Sequence, residues 1–147
     1  MDFTKLLQKS KQEKSRIPQT IETTILFNSS NITKQIKGRW KFGKSVDGGI
    51  IGRYKSKSYQ AFKIEKNGNA DGTVDLTLTG SLGDNLVIRR KGQLQYEIIS
   101  TDWKFDWISN EYKKLKEFNL DAEQQQELFF LLEFSVLEEF YNNLYFR

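Results

Sequence analysis

The sequence predicts an α+β fold in which a small antiparallel sheet packs with an N-terminal helix, a short helix and a long C-terminal helix. Three patterns predict this class: regularly spaced isoleucines near the N-terminus, a hairpin pattern in the middle, and an uninterrupted helical pattern at the end. With 147 residues, the chain is long enough for one compact domain but hardly for two.

The first sixteen residues predict a basic, flexible arm. They carry five cations and only Phe3, Leu6 and Leu7 as apolar anchors, so they bury too little surface to become ordered alone. We therefore expect a single folded domain over residues 17–147.

A helix is predicted from about Pro18 to Lys37, because proline suits a first helical turn and Gly38 suits a helix end. Its many β-branched residues lower its helix propensity, so packing has to hold it. The apolar stripe follows steps of four or seven residues: Ile17, Ile21, Ile25, Ile32, Ile36. The glycine-rich segment that follows, through Gly52, predicts a loop.

Alternating side chains from Val74 to Leu78 predict a half-buried strand. The segments Leu86–Arg90 and Leu94–Ser100 then predict a hairpin closed by Lys91, Gly92 and Gln93, with Gly92 expected to adopt a positive φ.

A short helix is expected to start at Asp102 and to run to about Leu115. Trp103, Trp107 and Tyr112 share one face of it, together with Ile108.

The C-terminal helix is expected over about residues 120–146, capped by Asn119 or Asp121, because no glycine or proline occurs from Ala122 onward. It is apolar on nearly all sides between Leu128 and Leu137. Such a helix is normally buried, so part of its surface is expected to face another subunit. The alternative is that the domain wraps the helix from both sides.

The composition contains no histidine and no cysteine, which excludes the usual near-neutral proton shuttle, a thiol nucleophile and the commonest soft metal ligands. We expect no catalytic residues, no metal, no cofactor and no enzymatic activity. Asp102, Asp106 and Glu111 are interpreted as solvated helix-surface acids. The residues from Asn67 to Asp75 imitate a calcium loop, but Leu78 stands where a closing glutamate is needed, so a polar turn is expected.

Charge is unevenly distributed: residues 1–66 carry a net +10 and residues 67–147 a net −6, within the overall +4. This asymmetry favours either attraction between stacked copies or binding of nucleic acid by the basic half. No apolar run is long enough to span a membrane, so no membrane partner is expected. The candidate contacts for phosphate or an acidic partner are Lys9, Lys11, Lys14, Arg16, Arg39 and Arg53.

Several motifs between Gly48 and Tyr112 resemble a family of small virion proteins of tailed bacteriophages, particularly those that infect Bacteroidetes. They are a "dG-x-x-iG-x-Y" turn ending at Tyr54, "Y-x-x-F/Y-K" ending at Lys63, and "VDL-x-LTG" ending at Gly80. A hairpin, "s-x-D" and a closing "eY" follow. The family pattern usually has glycine next, where Lys113 stands here. The Thr79 to Leu82 step more distantly resembles neck and tail-completion proteins.

The resemblance implies a head-to-tail connector: a subunit of a multimeric ring at the head-to-tail junction or tail. Its partners would be other copies of the chain, the portal, neck or tail subunits, and packaged DNA in contact with the basic arm. It would be located in the virion, after assembly in the host bacterial cytoplasm. The alternative is a nucleic-acid-binding accessory protein that uses the basic N-terminal half. The expected interface residues are Trp103, Trp107, Tyr112, Phe129, Phe130, Leu132, Phe134, Leu137, Phe140 and Tyr141.

Overall fold

The structure, a computed structural model, describes residues 3–66, 68–77, 79–111 and 119–145. These ranges form helices and one two-stranded antiparallel hairpin, which confirms the α+β class. None of the helices within them is both long enough and apolar enough to cross a membrane. The elements in chain order are α1 (Phe3–Phe27), α2 (Ser29–Lys41), α3 (Lys57–Glu65), α4 (Ser81–Asp84), β1 (Leu86–Gly92), β2 (Gln95–Ser100), α5 (Lys104–Glu111) and α6 (Ala122–Tyr145).

The N-terminal segment is helical from Phe3, and the prediction of a flexible arm over residues 1–16 is therefore wrong for residues 3–16. The segment is ordered because α1 packs along α6, a partner that lies at the other end of the chain. Pro18 lies inside α1 instead of at a first turn.

The predicted helix from Pro18 to Lys37 is divided into α1 and α2 at Asn28. The side chain of Asn28 donates to the carbonyl of Thr24 at 2.8 Å, and its own carbonyl accepts from the N–H of Ile32 at 3.0 Å. Helix α2 continues past Gly38 to Lys41, so the predicted end at Lys37 was four residues early.

The hydrophobic core forms where α2 meets the hairpin, α4 and α5. Ile32, Ile36 and Trp40 lie one helical turn apart on the inner face of α2, and the last two are fully buried. They pack with four further buried residues: Leu82, Leu86, Ile108 and Leu120.

The predicted strand from Val74 to Leu78 is not formed over its described residues, 74–77. An isolated bridge joins Arg53 to Thr73, and the Asp75 side chain then binds Thr77, which turns the chain. Helix α3 was not predicted. It begins after Ser56, whose hydroxyl accepts from the N–H of Tyr59 at 3.3 Å.

The hairpin of β1 and β2 is confirmed, with Leu86 opposite Ser100 and Ile88 opposite Ile98. Its turn differs from the prediction, because an irregularity after Arg90 pairs Gly92 with Gln95. The positive φ of 54° is therefore adopted by Leu94 and not by Gly92.

The long C-terminal helix is confirmed, and of the two candidate caps Asp121 makes the capping contacts. The Asp121 carboxylate accepts from the N–H of Gln124 at 2.9 Å, and the Gln124 side chain accepts from the N–H of Asp121 at 3.1 Å. Arg39 holds the same junction by donating to the Asn119 carbonyl at 2.9 Å. Residues 112–118, including Tyr112 and the predicted helix end at Leu115, lie outside the described residues.

Candidate functional site

Helix α6 has two chemically different faces, and its inner face packs against α1 and, at Leu128, against the core on α2. Leu128, Leu132, Val136 and Phe140 recur every four residues, and each is half-buried. This face secures α6 to the domain. It uses two of the predicted interface residues, Leu132 and Phe140, at least in part for contacts within the chain.

Polar side chains also contribute to the contact between α1 and α6. Asn143 donates to the carboxylate of Glu13 at 3.1 Å, and both residues are buried. The hydroxyl of Thr20 donates to Glu139. Next to these bonds lies an open, mainly polar groove of about 720 Å³. Its lining residues are Arg16, Gln19, Thr20, Thr23, Thr24, Ser135, Glu138, Glu139, Asn142 and Asn143.

The outer face of α6 carries an exposed apolar stripe, formed by Phe130, Phe134, Leu137 and Tyr141. Their exposed fractions are 58%, 65%, 59% and 56%. At about 200 Å² for each large side chain, the stripe exposes on the order of 500 Å². The largest apolar patch of a typical monomer is about 300–600 Å² and is often functional, so this stripe is a candidate contact surface.

Phe129 extends the exposed surface to one side of the outer stripe, its ring centroid 6.4 Å from that of Phe130. The structure therefore brings together five of the predicted interface residues on the outer side of α6.

A second exposed aromatic pair lies at the start of α5. Trp103 and Trp107 are 81% and 63% exposed, whereas Ile108 turns inward to the core. The ammonium group of Lys104 lies 5.6 Å from the centroid of a Trp103 ring. The tenth predicted interface residue, Tyr112, lies outside the described residues.

Asp102, the first residue of the predicted short helix, caps α5 from just before its start. Its carboxylate accepts from the Ser81 hydroxyl and from the N–H of Lys104 at 2.9 Å. These two hydrogen bonds hold the pKa of Asp102 below its ordinary value. The residue therefore stabilises the element that presents the two tryptophans.

The six predicted cationic contacts occupy three different environments. Four of them lie on α1: Lys11, Lys14 and Arg16 are exposed, and Lys9 is half-buried. Arg16 also pairs with Glu13 at 3.3 Å.

Arg39 and Arg53 lie away from the α1 cations. Arg39, on α2, is buried where it contacts the segment just before α6. The prediction that it is a surface contact for phosphate is therefore wrong. Arg53 is exposed and donates to the Asp71 carbonyl at 2.9 Å.

Sequence reasoning missed a buried ion pair between Lys63 and Asp75. The ammonium group lies 2.5 Å from the carboxylate, which also accepts from the N–H and hydroxyl of Thr77. Burial raises the pKa of Asp75, but the hydrogen bonds from Lys63 and Thr77 outweigh it and leave the pKa lowered. The two residues are twelve positions apart in segments typical of turns, and no local pattern in the sequence predicts that they form an ion pair.

The segment that imitates a calcium loop forms a turn over its described residues. Asp71 accepts from the N–H and the hydroxyl of Thr73, at 3.0 and 2.7 Å. The first of these bonds is the main cause of its lowered pKa. Gly72 adopts a φ of 77°. Across the part of the chain that the structure describes, no cluster of three or more acidic residues could hold a metal ion.

Comparison with known proteins gives no match to a family model, to a curated protein or to a solved structure. The exposed stripe on α6, the tryptophan pair on α5 and the α1 cations are therefore the features from which a function is proposed.

Proposed function

We propose that this chain is a structural subunit of a tailed-bacteriophage particle. It assembles into a multimeric ring at the head-to-tail junction or in the tail, and it joins neighbouring virion proteins such as portal, neck or tail subunits. The chain acts in the virion after assembly in the host bacterial cytoplasm.

The observation that carries the proposal is the exposed apolar stripe on α6. A ring subunit needs apolar surface for its neighbours, and Phe130, Phe134, Leu137 and Tyr141 supply it on a regular, rigid element. Trp103 and Trp107 supply a second surface on a different helix. Two separate surfaces are what a subunit requires in order to contact more than one neighbour.

Charge also supports contacts between proteins. Helix α6 has five glutamates and no lysine or arginine, whereas α1 has five cations and two acids. These helices lie side by side in one molecule, so part of the charge asymmetry is compensated within the chain. The exposed Glu133 and Glu138, which border the outer stripe of α6, repel DNA and leave this surface suited to a protein partner.

The test is a phage whose coding sequence for this chain is interrupted and then complemented in trans. Without the chain, we expect filled heads and tails that fail to join, or heads that lose DNA, together with lost infectivity. Complementation with the wild-type chain restores joined particles, and complementation with Trp103→Ser/Trp107→Ser does not. Normal infectivity without the chain would refute the virion role.

The second candidate is a nucleic-acid-binding accessory protein. It is favoured by the exposed Lys11 and Lys14 on α1. Titration with single- and double-stranded DNA at increasing salt tests it. Binding through several phosphates loses affinity steeply with salt, and Lys11→Gln/Lys14→Gln reduces the slope by about two. A chain that binds neither DNA at moderate salt is not an accessory protein of this kind.

A further inference from the structure

The exposed stripe on α6 has the spacing of a coiled-coil seam. Phe130, Phe134, Leu137 and Tyr141 follow one another at steps of four, three and four, which places them at alternating d and a positions of a heptad repeat. The residues that face α1, such as Leu132 and Val136, occupy positions on the opposite side. Helix α6 therefore packs on α1 by one side and presents an apolar seam of four residues by the other.

A second copy of the same seam is the occupant that fits this surface best. With Leu131, which borders the stripe at an e position, the exposed apolar face reaches on the order of 550 Å². Specific interfaces bury about 1,200–2,000 Å² in total, so two such faces, about 1,100 Å² together, approach the lower end of that range. The outer face of α1 is not an equivalent partner, because its exposed residues are mainly lysine, glutamine, serine and threonine.

The acidic residues beside the seam select the direction of pairing. Glu133 precedes Phe134 at a g position, and Glu138 follows Leu137 at an e position. In a parallel pair, g of one helix faces the next e of the other, so Glu133 would oppose Glu138 on both sides of the seam. Like charges in that arrangement repel.

An antiparallel pair removes this conflict. With Phe130 opposite Tyr141 and Phe134 opposite Leu137, g faces g and e faces e. Glu133 then lies beside Phe140 of the other copy, and Glu138 lies beside its Leu131. No glutamate opposes another across the seam.

We propose that two copies of this chain associate through an antiparallel, two-fold contact between their α6 helices, with the symmetry axis between residues 135 and 136. The inference rests on the self-association part of the proposed function and specifies one contact within it. A two-fold contact closes on itself, so a ring built from such dimers needs another surface. Trp103, just before α5, and Trp107, on α5, lie outside the seam and remain exposed for that role.

The first experiment measures the mass of the full chain in solution over a range of concentrations. We expect a dimer for the wild type and, for Phe134→Glu, a dissociation constant raised about a hundredfold or more. Phe42→Glu is the matched control, because Phe42 is exposed just after α2, near the start of α6, and is not part of the seam. Circular dichroism establishes that both variants are folded. A wild-type monomer at all concentrations, or a Phe134→Glu dimer of unchanged affinity, overturns the proposal.

The second experiment reads the direction of pairing from single cysteines, because the chain has none of its own. In the antiparallel dimer, residue 130 lies opposite residue 141 and about 16 Å along the axis from its own mate. A disulfide needs Cα atoms within about 7 Å. A mixture of Phe130→Cys and Tyr141→Cys is therefore expected to form the mixed disulfide, identified by intact mass, while neither variant cross-links alone.

Self-cross-linking of Phe130→Cys or Tyr141→Cys would indicate a parallel pair and would refute the proposed direction. These outcomes are distinct from failure of the virion role. If the chain forms a dimer with the mixed disulfide but phage lacking the chain are infectious, the α6 contact is supported and the virion role is refuted. If particles lacking the chain are defective but the chain forms no dimer, only the α6 contact is refuted.

Discussion

Lys63 and Asp75 form a buried ion pair that joins α3 to the turn after the Arg53–Thr73 bridge. Removal of the carboxylate leaves the ammonium group buried without its partner. We expect Asp75→Ala to lower the free energy of unfolding by about 3–5 kcal/mol, measured by urea denaturation at neutral pH. Arg89→Gln, which removes an exposed pair with Glu97, is the control and is expected to change it little. An unchanged stability of Asp75→Ala would mean that the pair does not hold the fold.

The same pair makes stability depend on pH. The pKa of Asp75 is lowered in the folded chain from an ordinary value of 3.8, so the unfolded chain binds the proton first as pH falls. The contribution of the pair is therefore fully present above that ordinary value and is lost as pH falls through the folded pKa. Between pH 5 and pH 3, wild type should lose more stability than Asp75→Asn. Parallel urea titrations of the two proteins check this, and equal losses would exclude Asp75 as a source.

Two glycines should respond in opposite ways to the same substitution. Gly38 lies inside α2 with no atom near an added Cβ, so Gly38→Ala is expected to stabilise the chain by about 0.5–1 kcal/mol. Gly43 has a φ of 62°, and an added Cβ would lie 2.8 Å from the Thr73 hydroxyl and 3.1 Å from the Val74 carbonyl. Gly43→Ala is expected to destabilise it by about 1–3 kcal/mol. Thermal unfolding of both variants provides the measurement, and a shift in the same direction for both contradicts the expectation.

The start of α6 should depend on its capping box. Asp121→Ala removes the bond to the N–H of Gln124 and is expected to cost about 1 kcal/mol. Glu123→Ala, at an exposed position of the same first turn, is the control and should cost less. Urea denaturation again gives the comparison. Because the seam begins several residues further on, the dimer should keep its affinity in Asp121→Ala once the chain is folded.

The tryptophan pair should affect assembly without affecting the fold. Trp103 and Trp107 are exposed, so Trp103→Ser/Trp107→Ser should leave the melting temperature within about 2 °C of the wild type. We expect the double variant to form the α6 dimer and to fail in assembly beyond it. Native mass spectrometry together with electron microscopy of the purified chain separates these states. Wild-type rings from the double variant would exclude this surface.

Local patterns predicted the elements whose stability is local. The hairpin and α6 were recognised because alternation, turn residues and a helix cap lie within a few positions of one another. The exposed stripe was also predictable in part, since more apolar residues occur between Leu128 and Leu137 than one small core can take. Which of them face outward depends on the position of α1, and no local pattern contains that information.

The errors occurred where distant residues determine the structure. Residues 3–16 looked unable to become ordered because the partners that order this segment lie far along the chain. Glu13 accepts a hydrogen bond from Asn143, and Ile17 lies near Val136. The segment from Val74 looked like a strand, but the Asp75 carboxylate binds Lys63 and Thr77 and turns the backbone instead. Arg39 looked like a surface cation because the residue that it contacts, Asn119, lies 80 positions further along the chain.

The contact between α1 and α6 also determines the order in which the molecule can be completed during synthesis. Glu13 leaves the ribosome well before its hydrogen-bond partner Asn143, which lies 130 residues further along the chain. Helix α1 therefore waits until the 130 residues after Glu13 have been synthesised before it can complete its native contact, with its inner face open to chaperones and proteases in the meantime. A nascent chain stalled before α6 emerges should be cleaved readily within α1, and release of the finished chain should end that sensitivity.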